Sequence, residues 1–384
     1  VVAVVGGGQL ARMMAPAATA LGIHLRVLVE GPTSSAARVV VDAPVGAPRS
    51  AADVLDLVAP ADGPVADVLT FEHEHIPAEV LARVAALGVP VRPSSSALLH
   101  AQDKQVMRER LTALGVTCPR WAALPDAAAL AAFLAEHGRA VVKTTRGGYD
   151  GKGVRVVSDA AEVADWFAEA SAGGPSLIAE EVVPFVRELA VLLARRPSGE
   201  VRAWPVVQTV QQAGVCAEVL APAPDLAPEV AAAATAAAVA VAQGLDVTGV
   251  LAVELFEVAP HDGAPRVLVN ELAMRPHNSG HWTIDGSTTS QFEQHLRAVL
   301  DLPLGDPALR ARWSVMANVL GSSLERLTDA LPAVHADPGA RVHLYGKDIR
   351  PGRKLGHVTV TGDDLADVRA RAATAAGLLR GERG

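Results

Sequence analysis

The chain has 384 residues, half of them apolar, and a net charge of −8 from 34 Lys and Arg against 42 Asp and Glu. That length exceeds one ordinary core and points to two or three domains. The acidic balance argues against a general nucleic-acid-binding face, and no apolar run reaches the roughly 18 residues that read as a membrane span.

The first hundred residues alternate strand-like and helix-like patterns. Val1–Val5 is an apolar run, Gln9–Leu21 reads as a helix, and Leu25–Glu30 as a second strand. Ala51–Ala59 is helical, Val65–Phe71 a strand, and Pro77–Leu87 a helix leading into Val89–Val91. This β-α order predicts a parallel sheet with crossover helices, an α/β unit. Pro93-Ser94-Ser95-Ser96 is a candidate boundary. A helix over Asp103–Leu114 follows. Helices Ala127–His137 and Ala160–Ala170 then alternate with strands Ala140–Lys143, Val154–Val157, Leu177–Glu181 and Leu189–Ala194, an α+β pattern. Glu229–Gln243 is an Ala-rich helix. Val247–Val258 and Arg266–Leu272 read as a hairpin, and Ser290–Leu300 as a helix. From Trp313 onward the pattern is one of short strands and turns, including Tyr345–Val360. Cys118 and Cys216 are too few for a disulfide framework or a four-ligand zinc site. With an N-terminus that lacks a basic leader, this fits a reducing, cytoplasmic setting.

Two glycine loops carry chemistry. Gly6-Gly7-Gly8-Gln9-Leu10-Ala11 fits G-x-G-x-x-G/A between a strand and a helix, and Glu30 follows at about the spacing of a dinucleotide fingerprint. The same turn could cradle any phosphate at a helix N-terminus, or be a tight turn without a ligand. The second loop runs from Lys143 through Gly147-Gly148-Tyr149-Asp150-Gly151-Lys152-Gly153 between two strands. It is no Walker A loop, but a flexible hairpin of this kind can lie over a triphosphate with its N–H groups as donors. Lys143 at its mouth can reach α/β-phosphate oxygens. Only five lysines stand in the chain, so one kept beside a glycine loop points to a need for a compact ammonium. Glu180-Glu181-Val182-Val183 ends a strand in a linker suited to an adenine edge and ribose.

Glu254 and Glu271 are symmetric about the turn of the predicted hairpin, so they should oppose each other. Opposed like charges destabilise a sheet, and a cation reverses the sign. Mg2+ uses one or two carboxylates together with nucleotide phosphates, and Asn270 adds a neutral oxygen. Met274–Trp282 follows, dense in hydrogen-bonding groups. His277 and His281 have the spacing for zinc but no third ligand.

Taken together, these segments resemble the N5-carboxyaminoimidazole ribonucleotide synthetase family, ATP-grasp carboxylases of purine biosynthesis. The resemblance rests on Gly6–Met13, Thr70-Phe71-Glu72, Gln102–Lys104, Gly148–Gly153 and Asn270–Ala273. Its most specific parts are Arg275–Trp282 with Ser290–Glu293, and Tyr345–His357. It implies an ATP-grasp fold with a pre-ATP-grasp, Rossmann-like domain over residues 1–100, a linker helix and lid over 101–182, and a large domain over 183–384 whose part from about 313 is a small β-rich substrate-binding portion. It implies ATP, Mg2+, bicarbonate and aminoimidazole ribonucleotide as ligands, with no nucleic acid and no membrane, in a cytoplasmic homodimer.

The resemblance also assigns residues. Lys104 and Lys143 would contact nucleotide phosphates under the loop Gly148, Tyr149, Asp150, Gly151, Lys152 and Gly153. Glu180, Glu181, Val182, Val183 and Glu188 would hold adenine and ribose. Glu254 and Glu271 would hold Mg2+ beside Asn270. Gln9, Leu10, Glu72, Tyr149, Asp150, Lys152, Arg275, His277, Asn278, Lys347 and Arg353 or Lys354 would bind the ribonucleotide or the carboxylate in transfer. Lys152, Arg275 and His277 are the expected catalytic groups. Gln211 stands where the family often carries a histidine near the nucleotide, and Lys152 where arginine is common. That lysine keeps the charge and loses the bidentate fork.

Overall fold

The computed structural model describes residues 1–148, 153–261 and 264–382. At the N-terminus β1 (Val2–Val5), β2 (Leu25–Leu28) and β3 (Val68–Phe71) form a parallel sheet in the order β2-β1-β3. Every residue of these strands is buried. A parallel strand covered on both faces needs an unbroken apolar run, and these segments supply it. Helices Gln9–Ala20 and Ala51–Val58 make the crossovers, and Ala78–Ala86 leads on to a single parallel bridge between Leu69 and Val91.

The serine cluster after Pro93 is a helix start. Ser94 accepts the N–H of Ala97 and opens helix Ser95–Gln102. Asp103 then accepts from Gln105 and Val106 and opens helix Lys104–Ala113, which sets Lys104 in a first turn. An antiparallel sheet follows, of β4 (Trp121–Leu124), β5 (Ala140–Thr144), β6 (Val154–Val157) and β7 (Leu177–Glu181) in the order β4-β7-β5-β6. Its own core includes Leu130, Phe133, Val142, Val157 and Ala179. The four residues of β4 lie between Pro119 and Pro125 and are too short to show a pattern. The expected helix Ala160–Ala170 is divided into a 3-10 turn, Ala160–Val163, capped by Asp159 and Glu162, and helix Ala164–Ser171.

The third sheet holds β8 (Phe185–Arg195), β9 (Val201–Ala203), β10 (Val207–Gln212), β11 (Val215–Ala221), β12 (Gly249–His261), β13 (Ala264–Ala273), β14 (Trp313–Leu320), β15 (Arg341–Leu344) and β16 (Lys354–Gly362). Its order is β13-β12-β8-β10-β11-β14-β16-β15, with β9 on β8. The C-terminal strands thus extend the sheet that carries Glu254. One face of β14 and β16 packs against helix Leu365–Arg380. This helix corrects the reading of the tail as strands and turns alone. It buries Val368, Ala372, Ala375, Ala376 and Leu379 at helical spacing, but alanine contrasts weakly with its surroundings, so the stripe is faint in sequence.

Candidate active site

The first glycine loop is filled by the chain itself. Gly8 N–H donates to the Glu72 carboxylate, and a Cβ on Gly8 would overlap that carboxylate. A Cβ on Gly7 would stand 2.8 Å from Val29 Cβ. The anion position at the helix N-terminus is therefore held by an internal carboxylate. Burial pushes Glu72 up to about 7, against the Gly8 hydrogen bond. Leu10 lies in the core beside Val4 and Met14, so its side chain packs and only its backbone is left for a ligand. Gln9 accepts from the Lys347 ammonium.

On the lid sheet, Lys143 Nζ lies 2.7 Å from Glu180 Oε2 and 3.3 Å from Asn270 Oδ1. The other oxygen of Glu180 receives Arg108 Nε and Nη2, each at 2.8 Å. Burial raises the Glu180 pKa, but the charges of Arg108 and Lys143 outweigh it and hold the carboxyl below its usual range. Arg108 is fully buried. It reads from sequence as one more arginine in a helix, since its partners lie far along the chain. Lys104 Nζ approaches Glu271 Oε1 at 3.6 Å, and Lys104 N–H donates to Thr145 O. Two of the five lysines thus converge from different elements on one end of β13.

Glu254 and Glu271 are register partners on β12 and β13. The hairpin is not simple: register shifts fall between Val258 and His261 and between Glu254 and Leu255. Leu255 pairs with Val269 while Glu254 pairs with Glu271, so Asn270 is the extra residue of a bulge. The opposition expected from symmetry holds because the two shifts cancel. A bulge re-aims side chains, and this one sets Asn270 Oδ1 within reach of Lys143. Burial and the charge of Glu271 push Glu254 up to about 8, although Lys354 and Arg275 pull the other way. The donor set is all oxygen, two carboxylates and an amide, which suits a hard cation such as Mg2+.

Beyond β13 the chain turns through the Arg275–Trp282 segment. Arg275 Nε donates to Glu74 Oε2 at 2.9 Å, and Glu74 Oε1 accepts from Met274 N–H. Glu74 was not singled out from the sequence, although it lies two residues after Glu72. His277 Nδ1 meets Ser279 Oγ at 2.9 Å, and Nε2 lies 3.4 Å from Glu254 Oε1. Burial, then the charges of Arg275 and Lys354, push its imidazole down to about 3, so it is neutral at pH 7. Asn278 is buried beside it. Lys354 exerts its charge on both His277 and Glu254. Arg353 is turned to Asp348, donating to its carbonyl at 3.1 Å. Lys354 is therefore the member of that pair directed at the site.

On β8, two residues from the register partner of Glu254, Glu188 is hydrogen-bonded to Gln211 and its pKa is raised by burial. Glu181 accepts from Arg120 N–H at 2.9 Å. Both carboxylates of the Glu180-Glu181 pair therefore have protein partners; beside them Val182 is exposed and Val183 O accepts from Phe185 N–H. The expected contributions of Tyr149, Asp150, Gly151 and Lys152 lie outside the described residues.

A small antiparallel sheet beside a long one, with Lys143 of the first reaching Asn270 of the second and Lys104 of the linker helix reaching Glu271, together with an α/β unit, defines an ATP-grasp enzyme. Residues 109–292 match the ATP-grasp domain family, 1–102 the ribonucleotide synthetase preATP-grasp domain, and 314–371 the phosphoribosylaminoimidazole carboxylase C-terminal domain. The N5-carboxyaminoimidazole ribonucleotide synthase of Mycobacterium tuberculosis is 53% identical over 380 residues, 98% of this chain and 86% of that one. The ATP complex of carboxyaminoimidazole ribonucleotide synthase from Aspergillus clavatus superposes with a TM-score of 0.87 at 31% identity, covering 100% of this chain and 98% of that one. The Aspergillus clavatus enzyme with ADP and 5-aminoimidazole ribonucleotide gives 0.85 at 29% identity, covering 98% of each. The chain belongs to the N5-carboxyaminoimidazole ribonucleotide synthase family, and it is an ATP-dependent ligase.

Proposed function

We propose that this enzyme carboxylates 5-aminoimidazole ribonucleotide to N5-carboxyaminoimidazole ribonucleotide in purine biosynthesis, using ATP and bicarbonate and releasing ADP and phosphate. The observation that carries the reading is the convergence of Lys104 and Lys143 on Asn270 and Glu271, with Glu254 opposite. ATP would lie between the β4–β7 sheet and β8–β13. Val182 and Val183 would meet adenine, with Glu188 and Gln211 toward the ribose. Lys104 and Lys143 would offset charge on the phosphoryl oxygens, under the loop 148–153. Glu254, Glu271 and Asn270 would hold Mg2+, which supplies further charge neutralisation when bound.

Bicarbonate oxygen would attack the γ-phosphorus with ADP as leaving group, giving carboxyphosphate. The exocyclic amine then attacks the carboxyl carbon of carboxyphosphate and expels phosphate, or it attacks CO2 after carboxyphosphate has already released phosphate; by either route the amine gives up a proton. Bicarbonate is a poor electrophile, and phosphorylation creates the leaving group it lacks. Carboxyphosphate hydrolyses readily, so closing the lid sheet over the cleft protects it from water.

Arg275, fixed by Glu74, and neutral His277, fixed through Ser279, would orient the carboxylate in transfer. Asn278, Lys347, Lys354, Gln9 and Glu72 border the side where the ribonucleotide would sit, and the resemblance would add Tyr149, Asp150 and Lys152 to its contacts. The reading includes a cytoplasmic homodimer. Among the described residues no helix is long and apolar enough to cross a membrane. A nicotinamide cofactor in the first glycine loop is disfavoured because Glu72 already takes the Gly8 N–H. The decisive experiment is ADP release with and without aminoimidazole ribonucleotide in bicarbonate buffer. ADP release that ignores the ribonucleotide, or micromolar NADH binding that the ribonucleotide does not displace, would sink the reading.

A further inference from the structure

We infer that Arg108 is a positioning residue for the nucleotide and metal groups, fixing the lid strand that carries Lys143's partner to the strand that carries Asn270 and Glu271. The inference rests on the nucleotide reading given above. Arg108 comes from neither strand but from helix Lys104–Ala113, in the linker between the N-terminal sheet and the lid. Its guanidinium serves three acceptors on two sheets. Nε and Nη2 hold Glu180 Oε1 on β7, Nη1 donates to Val269 O at 2.9 Å, and Nη2 donates to Asn270 O at 2.7 Å on β13.

The two carbonyls belong to the bulge residue, Asn270, and to the residue before it. The extra residue of a bulge drops out of the ladder, and its carbonyl, once buried, requires another donor. Arg108 supplies it. On the other side, Arg108 holds one oxygen of Glu180, which leaves Oε2 aimed at Lys143 Nζ. One planar fork therefore sets the direction of Lys143 and the backbone under Asn270 and Glu271 together. A lysine could keep the positive charge, but its ammonium cannot span three acceptors in the same plane. Arg108 is fully buried, so it acts through these groups and not by touching substrate.

The test uses Arg108→Lys and Arg108→Met in the full chain, with magnesium-ADP binding by calorimetry and KM values for ATP and aminoimidazole ribonucleotide. In folded Arg108→Lys, magnesium-ADP affinity should fall and KM for ATP should rise by about tenfold or more, the scale of a lost hydrogen bond to a charged group. The KM for aminoimidazole ribonucleotide should stay within about twofold, because the ribonucleotide groups do not hang on this fork. Unchanged magnesium-ADP affinity in that variant, or equal losses in both KM values, would overturn the inference. If neither variant folds, the wild-type crystal structure with magnesium-ADP decides. Arg108 should keep Glu180, Val269 O and Asn270 O as partners, and release of either strand overturns the inference. Wild-type protein that does not bind magnesium-ADP would fell the nucleotide reading itself.

Discussion

Glu180 on the lid sheet and Glu254 on the large sheet both belong to the region proposed for the nucleotide, and their surroundings drive them in opposite directions. Glu180 is almost fully buried but sits between two cations, and it is held in its charged form. Glu254 is about a third exposed, yet its strand partner is another carboxylate, and it is pushed up to about 8. Burial raises both carboxyls; at Glu180 the two adjacent cations reverse that sign, and at Glu254 the opposed carboxylate adds to it. The first carboxylate is a finished structural contact that aims Lys143. The second is an unfinished one, in which a cation would turn repulsion into coordination.

The comparison breaks most sharply at Glu180. Glu180→Gln leaves Arg108 and Lys143 facing each other with no anion between them. Removing one partner of a buried ion pair costs about 3–5 kcal/mol, so urea unfolding should shift to a much lower midpoint at neutral pH. The depressed pKa fixes the sign of the wild-type profile. The contribution of Glu180 is present above its unfolded pKa and is lost as acid drives pH down through the lower folded value. A Gln variant as stable as wild type would mean that the two cations are solvated and the contact is incidental.

The next largest effect belongs to Lys143. Lys143→Ala keeps the Arg108–Glu180 pair, so the protein should remain folded by circular dichroism. It loses a cation aimed at the phosphates, and removal of one such preorganised group costs about 10²–10³-fold in turnover, or about 2.7–4 kcal/mol of barrier. Near-normal ATP turnover would show that the second glycine loop is not the phosphate clamp.

Much of this site could be read in the sequence, for identifiable reasons. Glu254 and Glu271 are local in sequence, and hairpin symmetry sets their register. Two register shifts interrupt that symmetry, and the pairing survives because they offset each other. Lys143 was marked by its rarity and its glycine loop. Arg108 was missed because nothing near it in sequence signals a role: its partners are 72, 161 and 162 residues away. Glu74 was missed for a similar reason, its partner Arg275 being 201 residues away. The first glycine loop left its occupant open in sequence because the residue that fills it, Glu72, comes from the end of a different strand. Strand and helix order were legible where apolar runs were strong. The Ala-rich helix Pro228–Gly244 was legible, whereas Leu365–Arg380, whose buried stripe is also mostly alanine, was not.

A smaller effect separates Glu271 from Glu180. Glu271→Gln should lose ATP-dependent carboxylation, because the proposed cation site loses one of its two carboxylates. Without ligand it should withstand heat as well as wild type or better, since opposed like charges on paired strands cost about 0.2–1 kcal/mol. Full activity in this variant would leave the nucleotide reading resting on the lysines. A marked drop in Tm would show that Glu271 is needed by Lys104 more than it is repelled by Glu254.

The smallest effect is a slope. Glu254 carries a folded pKa of about 8 against an ordinary value of 4.5, with burial as the larger cause and Glu271 as the next. Between those values the folded protein binds more protons at this group than the unfolded chain does. Stability from Glu254 is then full below the unfolded pKa and is lost as pH rises through the folded one. Glu72, raised to about 7 by burial, has the same sign, so the wild-type profile alone does not identify the group. The difference between wild type and Glu254→Gln does. With chelator present, Tm measured from about pH 5 to pH 9 should fall more steeply for wild type than for the variant, and the two should draw apart toward the alkaline end. Mg2+ with nucleotide should reverse the ordering, because the bound cation favours the ionised carboxylate that the variant lacks. Parallel profiles with chelator would mean that solvent screens the pair, and the contrast with Glu180 would then lie in the cations around Glu180 alone.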